Sequence, residues 1–125
     1  MTYDMVKDHI VKQVQKTFVH GQDIAVSLRD LKIRDLTDSQ FQPSRKISTE
    51  TDSDKKKLEQ DNYDTIYNVQ VEEFVKRMNM LNSNLPKAYA YILSYCSTTI
   101  EHRIMNHPDY EGRILDDPIE LLKTI

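Results

Sequence analysis

Histidines, one cysteine and neighbouring carboxylates are the side chains of this sequence that could do catalysis or bind metal. His102 and His107 lie near one predicted helix end, and Cys96 is the only thiol of the chain. A zinc site needs about four ligands, usually with paired Cys or His. No other potential ligand lies at a suitable spacing from these three residues. Cys96 as a nucleophile needs an adjacent base, and His102 falls on a different side of the same predicted helix. We therefore expect no metal ion and no cofactor, and interpret Cys96 as a small buried side chain.

The neighbouring carboxylates do not indicate catalysis either. Adjacent residues of a helix point in different directions, so Glu72 and Glu73 cannot face each other across a substrate. Asp116 and Asp117 are explained by helix capping. The 2 glycines of the chain are isolated and cannot build a phosphate-binding loop. We expect that the chain is not an enzyme and takes no small-molecule substrate.

Three tyrosines, Tyr89, Tyr91 and Tyr95, allow two interpretations. Tyrosine combines an apolar ring with a polar tip and is enriched at protein interfaces, but it is also common in ordinary cores. Stacking on nucleic-acid bases would need basic neighbours, and only Lys87 is close. Packing within the chain and contact with a second molecule therefore both stay open.

The composition favours helices and a location in the cytoplasm. The 125 residues include only 2 glycines and 4 prolines, whereas 30% are charged. A hairpin-rich β protein would need turn residues about every ten positions, so an all-α fold is expected. A net charge of −3 argues against non-specific nucleic-acid binding by this chain alone. The single cysteine and the polar start after Met1 predict a reducing compartment, with no secretion signal and no membrane contact.

Residues 1–36 are predicted to form a helical hairpin. Apolar residues recur at helical spacing on both sides of His20-Gly21, where Gly21 is expected to end the first helix in the left-handed conformation. Asp23 is expected to cap the second helix. Residues 37–54 are rich in Ser, Thr, Asp and Gln, which predicts a polar loop or linker. This loop is either simply solvated or carries kinase sites.

Residues 55–125 are predicted to form the main helical region. A long helix is expected to end at a turn over residues 82–86, because Asn, Ser and Pro cluster there. A second long helix over Lys87–Asn106 would run antiparallel to it, and Asp117-Pro118 would start a short C-terminal helix, with Glu120 completing a capping box. Together the segments predict one all-α domain, a bundle of four to five helices that belongs to a longer protein. The residues expected to pack inside are Ile66, Phe74, Met78, Ile92, Cys96, Ile100 and Ile104.

The last third of the chain carries a distinctive order of motifs. These are Lys87-Ala88-Tyr89-Ala90, Tyr95-Cys96, Arg103-Ile104, His107-Pro108-Asp109-Tyr110-Glu111 and Asp116-Asp117-Pro118-Ile119-Glu120-Leu121-Leu122-Lys123-x-Ile125. In this order they resemble the Gag-like region of Copia-type LTR retrotransposons, in the form found in diatom and other algal genomes. The helical hairpin and the polar loop upstream are compatible with the same region.

The resemblance implies a capsid-like helical module that self-associates into a particle packaging the RNA of the element. Its partner would be itself, and RNA would be bound only through segments not present in this chain. Such modules carry no catalytic residues. An alternative function is a helical adaptor, which binds a partner peptide or helix in a groove. The residues predicted for intermolecular contact are Tyr91, Tyr95, Leu121, Leu122 and Ile125.

Overall fold

The computed structural model describes residues 3–125, and these residues form helices and no strand. The all-α fold class is therefore confirmed. The elements in chain order are α1 (Tyr3–Thr17), α2 (Gly21–Asp30), α3 (Ser53–Leu93), α4 (Thr98–Met105), a π-helical segment (Tyr110–Ile114) and α5 (Pro118–Thr124).

The predicted hairpin of α1 and α2 is present, but Gly21 has a different role from the one expected. No glycine of the described chain has a positive φ, and the left-handed residue at the corner is His20, with φ 51°. Gly21 is the first residue of α2 and is buried. A Cβ atom at Gly21 would lie 2.6 Å from the Gln15 carbonyl oxygen and 2.7 Å from that of Val14. Glycine is needed here because α1 and α2 approach each other closely.

Asp23 does not cap α2 as predicted. It lies inside α2, it is buried, and its Oδ1 is 3.1 Å from the Arg34 guanidinium. The carboxylate therefore joins α2 to the segment that follows it. This arrangement is consistent with the rule that buried charges need a partner.

The prediction of a turn at Asn82 to Pro86 was wrong, because α3 continues through Pro86 to Leu93. A proline inside a helix removes the hydrogen bond to the carbonyl four residues earlier, here that of Asn82. Asn82 and Pro86 are both exposed, so water can bond to that carbonyl. The buried side chain of Asn84 donates a 2.9 Å hydrogen bond to the Val19 carbonyl. This tertiary contact holds the helix in the place where the local sequence indicates a stop.

One long helix thus replaces the two long antiparallel helices that we expected, and the predicted helix over Lys87–Asn106 is divided. The chain turns after Leu93, and α4 begins at Thr98. The Ser97 side chain accepts a hydrogen bond from the backbone N–H of Ile100 and so caps α4. The two threonines that follow lose side-chain freedom in a helix, which favours a new helix start over a continuous helix.

The packing of the chain divides it into two units. The terminal unit contains the described residues up to Arg34 together with Met80–Ile125, and the middle unit is Asp35–Asn79. The hairpin therefore shares a unit with the last third of the chain. Large side chains that are fully buried in the terminal unit are Val14, Ile24, Leu28, Ile92, Ile114 and Leu121.

The middle unit consists of the polar segment and the first part of α3. Arg45 makes two hydrogen bonds to Asp64, of 2.8 and 3.1 Å. The Gln60 side chain accepts from the Ser48 backbone N–H at 2.8 Å and donates to the Lys46 carbonyl at 2.9 Å. The predicted polar loop is present without helix or strand between residues 43 and 50, and these bonds fasten it along α3.

The residues predicted to pack inside divide into three groups. Ile92 and Ile104 are buried, as predicted. Phe74, Met78 and Cys96 are half-buried. Ile66 and Ile100 are exposed, Ile66 at 55%, and for these two the prediction was wrong. Ile66 lies beside Tyr63 and Tyr67, near Ser44 and Lys46 of the polar segment, but more than half of its side chain stays exposed.

Candidate interaction surface

An apolar groove in the terminal unit is the best candidate for a functional surface. Its cavity has a volume of about 300 Å³, at the small end of the range for ligand pockets. The start of α1, the end of α3, α4 and α5 all contribute to it. The lining residues are Tyr3, Val6, Lys7, Ile10, Ile92, Tyr95, Cys96, Ile100, Leu122 and Ile125.

Two hydrogen bonds made by residues that line the groove position these elements. The Tyr3 hydroxyl donates a 2.7 Å hydrogen bond to the Leu122 carbonyl and so fastens α1 to α5. Burial, and secondly the charge of Asp4, raise the pKa of Tyr3, which keeps the hydroxyl protonated as a donor. The Lys7 ammonium donates to the Arg29 carbonyl at 2.9 Å. The one charged group of the lining is thus bound to backbone.

The predicted cap of α5 is confirmed. Asp117 Oδ1 accepts hydrogen bonds from the backbone N–H groups of Ile119, at 3.0 Å, and Glu120, at 3.1 Å, and Pro118 occupies the first helical turn. The Glu120 side chain does not complete a capping box, because it pairs with Arg113 at 2.6 Å. The neighbouring Arg113, followed by Lys123, holds the pKa of Glu120 below its usual range.

Tyr91 and Tyr95 form an aromatic pair next to the groove. Their hydroxyls are 3.1 Å apart and their rings 5.4 Å apart in an edge-to-face arrangement. The pair continues to His9 at the Tyr95 ring and to Phe18 at the Tyr91 ring, with centroid distances of 6.1 and 5.9 Å. The hydrogen bond to Tyr95 raises the pKa of Tyr91. Tyr95 is exposed, so one ring of the pair reaches the surface.

Tyr89, the third tyrosine of this group, lies in the core. Its hydroxyl donates a 3.0 Å hydrogen bond to the Tyr110 hydroxyl of the π-helical segment. Burial and this bond raise its pKa far above the ordinary value. The two interpretations of the tyrosines therefore both apply, to different residues.

The remaining predicted contact residues lie in different environments. Leu121 and Leu122 are buried inside the terminal unit, so neither projects outward from the surface, although Leu122 lines the groove. Ile125 is exposed at the edge of the groove. Three of the five predicted residues, Tyr91, Tyr95 and Ile125, thus remain candidates for contact. Sequence reasoning missed Tyr3 and Ile100, although an aromatic residue at the start of an amphipathic helix is a usable signal.

The histidine, cysteine and carboxylate side chains that could bind metal or act in catalysis do not lie together. His107 Nδ1 accepts a 3.0 Å hydrogen bond from the Asp109 backbone N–H. Burial, and secondly the charge of Glu101, raise the pKa of the Cys96 thiol, so it is protonated at neutral pH. No group of three or more His, Cys, Asp and Glu side chains within residues 3–125 could hold a metal ion.

Comparisons with known protein families, with curated proteins and with solved structures found no match. None of the helices formed by residues 3–125 has both the length and the apolar character needed to cross a bilayer.

Proposed function

We propose that this chain is a structural helical module whose copies associate with one another, as in the capsid-type region of Copia-type Gag proteins. The associated copies would form the shell of a particle that encloses the RNA of the retrotransposon. The RNA itself is bound through segments outside this chain. The module performs no reaction and needs no cofactor.

The observation that carries the proposal is a ring of exposed apolar side chains around the groove: Tyr3, Tyr95, Ile100 and Ile125. Large apolar side chains grouped on a surface mark interaction sites, whereas scattered single ones need no explanation. Tyr95 and Ile125 also belong to the segment that carries the resemblance. The same part of the chain therefore supports the proposal through its surface and through its motifs.

A groove of this size supports weak contacts, and a particle can be built from weak contacts. Each contact gains strength when many copies are joined, because later contacts form within one assembly at a high effective concentration. We therefore expect the isolated chain to associate in a concentration-dependent way.

Sedimentation velocity over a concentration series tests the proposal, with Ile125→Asp as the variant and Leu115→Asp as its matched control. Ile125 and Leu115 are both 43% exposed, but only Ile125 lines the groove. A charge buried at the groove should weaken association by more than about tenfold, and Leu115→Asp should leave it unchanged. A wild-type chain that stays monomeric at every concentration would contradict the proposal, as would equal effects of the two variants.

A helical adaptor is the second candidate, and the floor of the groove favours it. Ile92 and Leu122 are buried at the base of the cavity, and such a floor can receive an apolar side chain from a partner helix. A chain that remains monomeric until an amphipathic helical peptide is added would support the adaptor.

A further inference from the structure

The part of α3 in the middle unit has an exposed apolar side. Leu58, Ile66 and Val69 are all more than half exposed. At about 100° per residue their directions around the helix differ by no more than about 80°. We call these three residues the exposed α3 row. The opposite side of the helix holds the polar segment through Gln60 and Asp64.

The row has Lys55 at one end and Glu73 at the other, two side chains of opposite charge, and Asp54 also lies in the first turn of α3. Lys55, Lys56 and Lys57 lie at the start of α3, and Glu72 and Glu73 lie beyond Val69. Lys55 and Glu73 are separated by about five full helical turns, or about 27 Å, and so project to the same side as the row. Glu73 Oε1 is 3.4 Å from Nζ of the exposed Lys76. The three lysines at the start of α3 form no ion pair within 4.0 Å among residues 3–125.

We propose that two copies of the chain pair through the exposed α3 row, with their α3 helices antiparallel and a twofold axis at the level of residue 64. Lys55 of each copy then lies opposite the partner's Glu73. Leu58 lies against the partner's Val69. Because the contact is isologous, each of these interactions occurs twice.

The charges decide the direction of pairing. A parallel arrangement places the basic end of one helix against the basic end of the other, and the acidic ends together. The antiparallel arrangement replaces both repulsions by attractions, and like charges that face each other oppose association. Residues at the same angle on two antiparallel helices meet across the contact, as Lys55 and the partner's Glu73 do.

This inference rests on the proposed self-association and adds a second, separate contact to it. A twofold contact alone closes after two copies, whereas an assembly that grows needs another contact elsewhere on the molecule. The groove of the terminal unit supplies that other contact. The two surfaces lie in different units and share no residue, so variants can test them one at a time.

Val69→Asp tests the row, with Val75→Asp as its matched control. Both valines lie on α3 and have similar exposure, 55% and 48%, but Val75 projects about 120° away from Val69. We expect Val69→Asp to raise the dimer dissociation constant by more than about tenfold and Val75→Asp to change it by less than about twofold. Circular dichroism should show that both variants keep the helical content of the wild type.

Charge reversal tests the antiparallel direction. Lys55→Glu and Glu73→Lys should each weaken pairing when studied alone at low salt, because each creates two like-charge contacts in the dimer. An equimolar mixture of the two variants should pair about as well as the wild type, because both contacts are then attractive again. High salt should reduce these differences. If the mixture does not recover, or if each variant alone pairs like the wild type, the antiparallel contact is overturned.

The results separate this inference from the proposed function. If wild-type association is abolished by Ile125→Asp and unaffected by Val69→Asp, the row is not an interface and the proposed function stands. If Val69→Asp alone abolishes pairing, the row is the interface and the groove is not. A wild-type chain that never associates overturns both.

Discussion

The terminal unit is stabilised internally by different interactions from those inside the middle unit. Nearly all fully buried large side chains of the described chain belong to the terminal unit, including Ile24, Leu28 and Leu121. In the middle unit the only side chains that are buried are Leu36 and Ser48. Its polar segment is fastened by hydrogen bonds, such as those between Ser48 and Gln60.

This difference implies unequal stability. Burying a large apolar side chain contributes about 1.5–3 kcal/mol, whereas a typical hydrogen bond contributes only about 0.5–1.5 kcal/mol net. Regions with few buried apolar contacts open at lower free energy than the core. We expect the polar segment of the middle unit to open while the terminal unit stays folded.

Leu28→Ala should destabilise the chain most, by about 2–5 kcal/mol, because it leaves a cavity in the core of the terminal unit. Its counterpart Leu58→Ala removes a side chain that is exposed in the middle unit and should change stability by less than about 0.5 kcal/mol. Urea unfolding at a concentration where the chain is monomeric measures both. Similar losses for the two variants would show that the units do not differ in this way.

Gly21→Ala should destabilise the hairpin of the terminal unit by about 1–3 kcal/mol, because the new methyl group overlaps two backbone carbonyls of α1. The matched control is Gly112→Ala, where an added Cβ meets nothing within 4 Å. That control should be neutral or slightly stabilising. Thermal unfolding of both variants gives the answer, and a stable Gly21→Ala protein would argue against the close approach of α1 and α2.

Asp117→Ala should destabilise the chain by about 1 kcal/mol, because α5 loses the cap that satisfies two backbone N–H groups. Amide hydrogen exchange should speed up first at Ile119 and Glu120. Asp116→Asn is the control, since the structure assigns the cap to Asp117 alone and asparagine tolerates the φ of 62° at position 116. Unchanged exchange in Asp117→Ala would mean that the cap does not stabilise α5.

The smallest effect concerns the middle unit and its dependence on pH. The hydrogen bonds from Arg45, and secondly from Gln60, hold the pKa of Asp64 below its usual range. A carboxyl whose pKa is lowered by folding stabilises the folded form above its unfolded pKa of about 3.9, and this contribution is lost as the pH falls through the lowered value. Protection of the Ser48 amide should therefore decrease below about pH 4.

An NMR titration with Arg45→Ala checks this assignment. The variant should return the Asp64 pKa towards the ordinary value, whereas Arg29→Ala in the terminal unit should leave it unchanged. An unshifted Asp64 pKa in Arg45→Ala would show that the ion pair does not hold the polar segment on α3.

The fold class could be predicted from the sequence because its signals are local. Few breakers and apolar residues at helical spacing are enough to indicate helices, and Asp117-Pro118 predicts the start of α5 correctly. The course of α3 through Pro86 could not be predicted this way. Locally Asn82 to Pro86 reads as a turn, and the contact that overrides it, from Asn84 to Val19, joins residues far apart in the chain.

The candidate surface was only partly predictable for a related reason. Periodicity shows that a helix has an apolar side, but it does not show what covers that side. Leu121 and Leu122 were predicted to make intermolecular contacts and are buried, whereas Ile66 and Ile100 were predicted to be buried and are exposed. Whether each of these side chains is covered depends on residues that are distant in the sequence.

We propose that copies of this chain associate through the apolar side chains it exposes. Sedimentation velocity of the wild type, Ile125→Asp and Val69→Asp over one concentration series is the most direct test. We predict that the wild type shifts to larger species as concentration rises and that each variant shifts less. A single monomeric species for all three proteins at the highest concentration would contradict the claim.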